Sequence, residues 1–436
     1  MAQSEAPIPL GPARSLRGWL GINSSTLSLL WTLFLVTAAT ELWSPLIPQY
    51  LKDLRAEAGG REAMAILLVG AYGFYRDALE AINYYAGGVI AGRINTRRSL
   101  LLFNVLPLVG LAILATWNST VGVFLAIPFI FAWDSIAGPA TITVVGDSLP
   151  TDRRTMAFSL QHILRRVARI MAYLISGAVI LILGRTRGVQ VDAVLAVAFV
   201  LGAAALQFRY MKTASRDSRT AIHRPRELLR RFPPDLRRLL VADIAARWAE
   251  GLGGPFIILY CIPILSSDYD TGAAAYQSGL LTIQAVTSMI CYVVVGPLAS
   301  REGLAKKPYI NLTFLFFALF PVSVIVLGHA FGTLGLAVAF AIGGMREIGE
   351  PARKAMIADL VPPDVRTQAA GLYWSVRSLA VMWASPLGAI LWIFGDRVRV
   401  GFGPPLAFGL AGLVGVLGAV SFYLRFGLRS RRDVPT

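Results

Sequence analysis

The chain has 436 residues, of which 56% are hydrophobic and 15% charged. A soluble domain carries about 25% charged residues, so these charges are too few to coat a water-facing surface of this size, and a soluble protein is excluded. Lys and Arg number 41 against 25 Asp and Glu, a formal net charge of +16; because the basic residues fall mostly between apolar runs, the excess reads as topogenic and headgroup-facing and not as a nucleic-acid footprint.

The residues before position 26 are polar, with scattered Arg14 and Arg17, and carry no short apolar stretch followed by a small-residue cleavage site. No cleaved signal peptide is expected. A helix needs about 20 apolar residues to cross a bilayer. Such runs occupy 26–51, 63–92, 99–117, 120–147, 156–184 and 191–210, then 238–265, 273–299, 308–328, 332–358, 367–395 and 403–426. The expected fold is therefore an all-α membrane protein of 12 transmembrane helices. It divides into a segment 1–25, a six-helix bundle 26–210, a basic linker 211–238, a second bundle 239–426 and a tail 427–436.

Orientation follows from where the basic residues lie. The linker holds Lys212, Arg216, Arg219, Arg224, Arg226, Arg230, Arg231, Arg237 and Arg238. Alternate loops on the same side carry Arg97/Arg98, Arg153/Arg154, Arg301/Lys306/Lys307 and Arg366, and the tail adds Arg425, Arg429, Arg431 and Arg432. The opposite loops hold Asn118, Asp268/Asp270 and His329, with exceptions at Arg185/Arg187 and Arg397/Arg399. Both termini are expected in the cytoplasm of a multi-pass protein of the plasma (inner) membrane.

Several runs carry charges. A charge at the bilayer centre costs at least about 2.5–3.5 kcal/mol, so it faces a cavity or a partner. The first run holds Glu41 within Thr40-Glu41-Leu42-Trp43-Ser44-Pro45, where Pro45 bends the helix. The second holds Arg76, Asp77 and Glu80. Asp77 and Glu80 share a face with Gly73 and Tyr84, and Arg76 pairs with Glu80 at i,i+4. The fourth holds Asp134. The fifth holds His162, Arg165, Arg166 and Arg169. The seventh carries Arg247 and Glu250 near Gly253-Gly254-Pro255. The tenth carries Arg346, Glu347, Glu350, Arg353 and Lys354, with Arg346, Glu350 and Lys354 spaced for a ladder. The eleventh holds Arg377 beside Tyr373 and Trp374.

Glu41, Arg76, Asp77, Glu80, Asp134, Arg346, Glu347, Glu350 and Arg377 are the candidates for solute binding or proton coupling. Arg165, Arg166, Arg353 and Lys354, nearer the helix ends, read as salt bridges or gate latches. Trp43, Tyr72, Tyr75 and Trp133 are aromatic candidates for the cavity wall, against plain packing. Cys261 and Cys291 lie in apolar stretches and supply no metal motif or disulfide framework. His162, His223 and His329 have no ligand spacing, and no cofactor is expected.

The two halves repeat. The segment PATITVVGDSLPTDRRTMAFSL from Pro139 aligns with PARKAMIADLVPPDVRTQAAGL from Pro351 at an offset of 212. The shared positions include Asp147/Asp359, Pro150/Pro362, Asp152/Asp364, Arg154/Arg366 and Thr155/Thr367. A second pair at an offset of 208 matches Gly88-Val-Ile-Ala-Gly-Arg93-Ile-Asn-Thr-Arg97-Arg98 with Gly296-Pro-Leu-Ala-Ser-Arg301-Glu-Gly303-Leu-Ala-Lys306-Lys307.

These loops resemble the signature of the major facilitator superfamily: Gly, three residues, Asp, Arg, one residue, Gly, one residue, then basic residues. Gly88, Arg93, Arg97, Arg98, Gly296, Arg301, Gly303 and Lys306 fall on it as gating residues. Gly92 and Ser300 stand where the family has Asp, and Asn95 stands where it has Gly. In the family that Asp helps to lock the cytoplasmic side, so the resemblance implies a weakened or differently built latch. It also implies two bundles rocking about a midplane site.

The function expected is secondary active transport of a small organic solute, polar and anionic or zwitterionic, by alternating access with proton coupling. One alternative is multidrug efflux by proton antiport, although MAYLISGAVILILG in the fifth run lacks the Gly-Pro signature of drug antiporters. Another is divalent-metal transport through Glu41, Asp77, Glu80 and Asp134. The ExxER signature of peptide transporters is absent from the first run. No P-loop, HExxH or GxSxG occurs, so neither ATP-driven transport nor an enzyme is supported. The expected partners are the solute, the bilayer and protons, with no nucleic acid, for a monomer.

Overall fold

The computed structural model describes residues 24–57, 59, 61–91, 96–131, 151–210, 224–268, 273–300 and 306–427. The first half holds α1 (Ser24–Glu41), α2 (Ile47–Glu57), α3 (Glu62–Ala91), α4 (Thr96–Thr116), α5 (Thr120–Ile130), α6 (Thr151–Leu183) and α7 (Arg185–Tyr210). A short α8 (Pro225–Arg230) precedes the second half. That half holds α9 (Pro234–Asp268), α10 (Ala273–Ser300), α11 (Lys306–Met345), α12 (Glu350–Leu360), α13 (Arg366–Val381), α14 (Ala384–Val398) and α15 (Gly403–Phe426). Among the described residues there is no strand.

Among the described residues, eight segments are long and apolar enough to cross a bilayer. One of them, Lys306–Leu360, covers 55 residues and contains both runs expected at 308–328 and 332–358. Its helical backbone is interrupted at Gly332, whose φ of 56° lies in the left-handed region that favours glycine. Asn104–Thr116 and Thr120–Ile130 are shorter apolar helices. α3 has the length to span but carries Arg76, Asp77 and Glu80 in its middle. The architecture is that of twelve transmembrane helices in two pseudo-symmetric bundles.

In the first bundle α1 packs on α6 and α7, and α4 on α5 and α7. In the second, α9 packs on α11 and α15, and α10 on α11. Polar side chains join helices where water cannot serve them. Asn104 Nδ2 donates to Gln207 Oε1 between α4 and α7, and Ser176 Oγ donates to Asp192 Oδ2 at 2.7 Å between α6 and α7. Large apolar side chains such as Ile182, Leu334 and Leu424 are more than 70% exposed. That pattern suits a lipid-facing surface, where apolar exposure costs nothing.

The bundles meet along two seams: α6 against α10 and α12, and α3 against α13 and α14. The second seam is close at both ends because its residues are small. A Cβ added at Gly70 would meet Ala389 Cβ at 2.8 Å, and one at Gly88 would meet the Thr367 carbonyl oxygen at 2.9 Å. Gly88, the motif glycine, is thus a contact point between bundles.

Three membrane helices break beside the centre. α1 ends at Glu41, and Ser44–Leu46 form a 3-10 turn before α2, where Pro45 and Pro48 supply no N–H. Gln277 Nε2, in α10 of the other bundle, donates to the Pro45 carbonyl at 3.3 Å. α11 stops at Met345 and α12 restarts at Glu350-Pro351, capped where Gly349 N–H donates to Thr313 Oγ1 at 2.7 Å. α13 and α14 are separated at Met382 and Trp383. α9, by contrast, runs unbroken through Pro255. The carbonyl that Pro255 leaves unbonded, on Gly251, accepts from Ser385 Oγ at 3.2 Å.

Two local expectations change. The segment 224–238 is folded, since α8 buries Leu228 and α9 begins at Pro234 and not at 239. The ladder of Arg346, Glu350 and Lys354 does not form, because Pro351 ends the upstream helix and puts Arg346 and Glu347 in the four-residue turn before α12.

A charged cavity between the bundles

The helix breaks surround a cavity of about 560 Å³. Both bundles line it, with residues from α1, α3, α6, α9, α10, α11, α12 and α13 and from the turn between α11 and α12. Among the described residues, nine Arg and Lys side chains and six Asp and Glu side chains reach it. In a low-dielectric surround such charges must be compensated, and the structure shows how.

Glu41, at the broken end of α1, forms an ion pair with Arg169, whose Nε lies 2.6 Å away, and accepts from the Tyr173 hydroxyl at 2.8 Å, both on α6. On α3, Arg76 lies 2.9 Å from Asp77 and 3.9 Å from Glu80. One guanidinium therefore serves two carboxylates, with Asp77 and not Glu80 its nearer partner. These positions were legible in the sequence; the Glu41 partners were not.

The second bundle carries a denser network. Asp243 of α9, fully buried, accepts from Arg353 Nη1 at 2.6 Å and from the Tyr373 hydroxyl at 3.1 Å, with Arg377 at 3.7 Å. Glu350 binds Arg353 and also Arg247, the latter at 3.0 Å. Arg247 reaches Glu250 at 2.6 Å, and Glu250 takes Arg346 at 3.2 Å. Arg346 further stacks near Phe317 and Phe320, 5.5 and 5.4 Å from the ring centres. Asp243 escaped the sequence reading because it sits at the polar start of its run. Its signal was the spacing Asp243, Arg247, Glu250, which puts three charges on one face of α9.

One pair crosses between bundles. Arg166 of α6 lies 2.9 Å from Glu347. Glu347 also accepts from the Tyr292 hydroxyl of α10 at 2.6 Å, and the Tyr292 ring lies 5.0 Å from the His162 ring. Tyr72 and Tyr84 line the cavity, and Tyr84 packs on Trp374 at 5.5 Å. Trp43 does not line it: the ring is buried against Phe131 at 5.6 Å.

Asp134, Trp133, Arg93, Arg301 and Gly303 lie outside the described residues. Arg97 and Arg98 fall in the first turn of α4, and Gly296 near the end of α10. Lys306 opens α11 and lies 2.8 Å from Asp359, so the second copy of the loop motif pairs with the second copy of the segment repeated at offset 212. Among the described residues, no three His, Cys, Asp or Glu side chains converge to hold a metal.

The family model of the Major Facilitator Superfamily matches residues 252–436. No curated protein sequence matches the chain. Among solved structures, the human organic anion transporter MFSD10 (TETRAN) superposes with a TM-score of 0.67 at 14% identity, covering 92% of this chain and 99% of that one. The peptide transporter POT in complex with sulfate gives 0.68 at 17% identity, covering 95% of each chain. The nucleoside transporter NupG gives 0.68 at 13% identity, covering 93% of this chain and 100% of that one. The second half of the chain thus matches the model of the Major Facilitator Superfamily, and the fold across its length is similar to that of these solved transporters.

Proposed function

We propose that the chain is a secondary active transporter that moves a small polar organic solute, anionic or zwitterionic, through the central cavity by alternating access, coupled to protons. The observation that carries this reading is the cavity itself: among the described residues, nine cationic against six carboxylate side chains line it, contributed by both bundles. A net positive, mostly paired lining selects a solute with negative charge and is a poor host for a greasy cation. The solved relatives named for organic anions, peptides and nucleosides support the transport class. The orientation with both termini and the linker 211–238 in the cytoplasm is part of this reading.

Proton coupling rests on α3, where the carboxylates of Asp77 and Glu80 both line the cavity beside Arg76. The test is flux in proteoliposomes. An imposed proton gradient accelerates uptake or export of an anionic or zwitterionic solute, and Glu80→Gln and Asp77→Asn retain exchange while losing gradient-driven accumulation. Equal flux with and without the gradient removes proton coupling. Flux of cationic amphiphiles alone replaces the solute class with the drug-efflux alternative.

A further inference from the structure

Where α6 and α12 face one another across the bundle boundary, three nitrogen-bearing side chains stand together at the cavity wall: His162 and Arg165 from α6, and Lys354 from α12. Arg165 and Lys354 repel each other, and both act electrostatically on His162. An ammonium such as that of Lys354, held beside other nitrogen bases away from bulk water, is costly unless an anion joins it.

Lys354 has no carboxylate within ion-pair distance among the described residues. The two acids that feel its charge, Glu350 and Glu347, are already engaged. Glu350 is held by Arg353 and Arg247, and Glu347 by Arg166 and Tyr292. His162 is 8% exposed, and its Nε2 is buried without a hydrogen-bond partner. A buried nitrogen with an unmet hydrogen-bonding position and a cavity-facing ammonium with no counter-ion among the described residues both lie at this wall. Neither is explained by the ion pairs that satisfy the rest of the wall.

We infer that this region is an anion subsite: a carboxylate or phosphate group of the transported solute docks between α6 and α12, on Lys354, Arg165 and His162. Lysine supplies a compact point charge with three rotatable donors, arginine a planar fork, and histidine an N–H at its open nitrogen. The assignment rests on the transport reading only for the word solute. Binding of the anion itself is independent of turnover. The cross-bundle pair Arg166–Glu347 is next to the site, so an anion seated there competes with Glu347 for Arg166. Filling the subsite therefore loosens a contact between bundles.

The test uses the full chain in detergent micelles. Thermal unfolding is followed at constant pH and ionic strength while chloride is replaced by inorganic phosphate or by succinate. The expected result is a rise in Tm of several degrees that saturates in the millimolar range. Lys354→Ala is expected to weaken the apparent affinity at least tenfold, with Lys354→Arg retaining most of it. Lys52→Ala, far from the site on a surface ion pair, is expected to leave it unchanged.

If Lys354→Ala does not fold, the wild-type protein still decides. Phosphate or succinate is expected to slow chemical acetylation of Lys354, read by mass spectrometry, at least fivefold. The inference is overturned if neither anion stabilises the protein relative to chloride or protects Lys354, or if Lys354→Ala responds like wild type. Stabilisation by phosphatidylglycerol, with none by the free anions, places the anion on a lipid and also overturns it. Absence of flux in proteoliposomes sinks the transport reading while leaving Lys354-dependent anion binding intact. Flux that is indifferent to Lys354 does the reverse.

Discussion

Arg166 Nη2 lies 2.9 Å from the Glu347 carboxylate and joins α6 of the first bundle to the turn before α12 of the second. Both side chains are nearly buried, at 8% and 13% exposure. Rocking the bundles apart at this seam separates the two charges. The pair thus ties the two bundles together at this seam.

Breaking this pair from one side leaves the other charge buried and alone. Arg166→Leu and Glu347→Leu are each expected to destabilise the protein by about 3–5 kcal/mol, whereas the double replacement costs far less. A double-mutant cycle in thermal or chemical unfolding measures the coupling. Additive single effects would show that the two residues do not act as a pair.

Asp243 anchors Arg353, Tyr373 and, more loosely, Arg377. Asp243→Asn removes one of the two carboxylates that compensate Arg353, which is 1% exposed. The expected cost is again about 3–5 kcal/mol, seen as a lowered Tm and poor monodispersity in detergent. Arg377→Ala, at the longer distance of 3.7 Å, should cost clearly less. The reverse ranking would mean that Arg377 and not Arg353 is the principal partner.

Ser385 and Pro255 form a second testable unit. The Ser385 hydroxyl donates to the Gly251 carbonyl, which Pro255 cannot serve. Ser385→Ala is expected to cost about 1 kcal/mol. In a Pro255→Ala background the restored N–H takes over that carbonyl, and Ser385→Ala should then be close to neutral. Unfolding of the four proteins completes the cycle.

Gly88 meets the Thr367 carbonyl and Gly371 where α3 crosses α13. Gly88→Val places a branched side chain into that contact and pushes the bundles apart at this end of the seam. A cysteine introduced by Ser378→Cys, on the cavity wall, should then react faster with a membrane-impermeant thiol reagent added on the linker side. Native Cys261 and Cys291 are buried and contribute little background. Unchanged labelling would mean that this crossing does not gate access.

Particular residues show what was readable along the chain. Glu41, Arg76, Asp77, Glu80, Arg346, Glu347, Glu350 and Arg377 stood out as charges in apolar runs, and all eight line the cavity. Pro45 announced the break after α1. Pro351 carried the same signal before α12, yet spacing alone made a ladder of Arg346, Glu350 and Lys354. The proline put Arg346 against Glu250 instead. Asp243 lay too near the edge of its run to stand out.

The sequence by itself determined that this is a twelve-helix membrane protein with two related halves and charges held inside. Apolar run length, the bias of basic residues and the internal offsets are properties read along one dimension, and the bilayer enforces them helix by helix. Only the tertiary structure decided which charges compensate one another. Arg169 with Glu41, Arg166 with Glu347 and Arg353 with Asp243 each join different membrane spans. Their pairing depends on helix rotation and on the close seams that glycines such as Gly88 permit. Coulomb attraction acts through space and leaves no periodic trace along the chain, and so the same packing also left Lys354 facing the cavity with no carboxylate within ion-pair distance among the described residues.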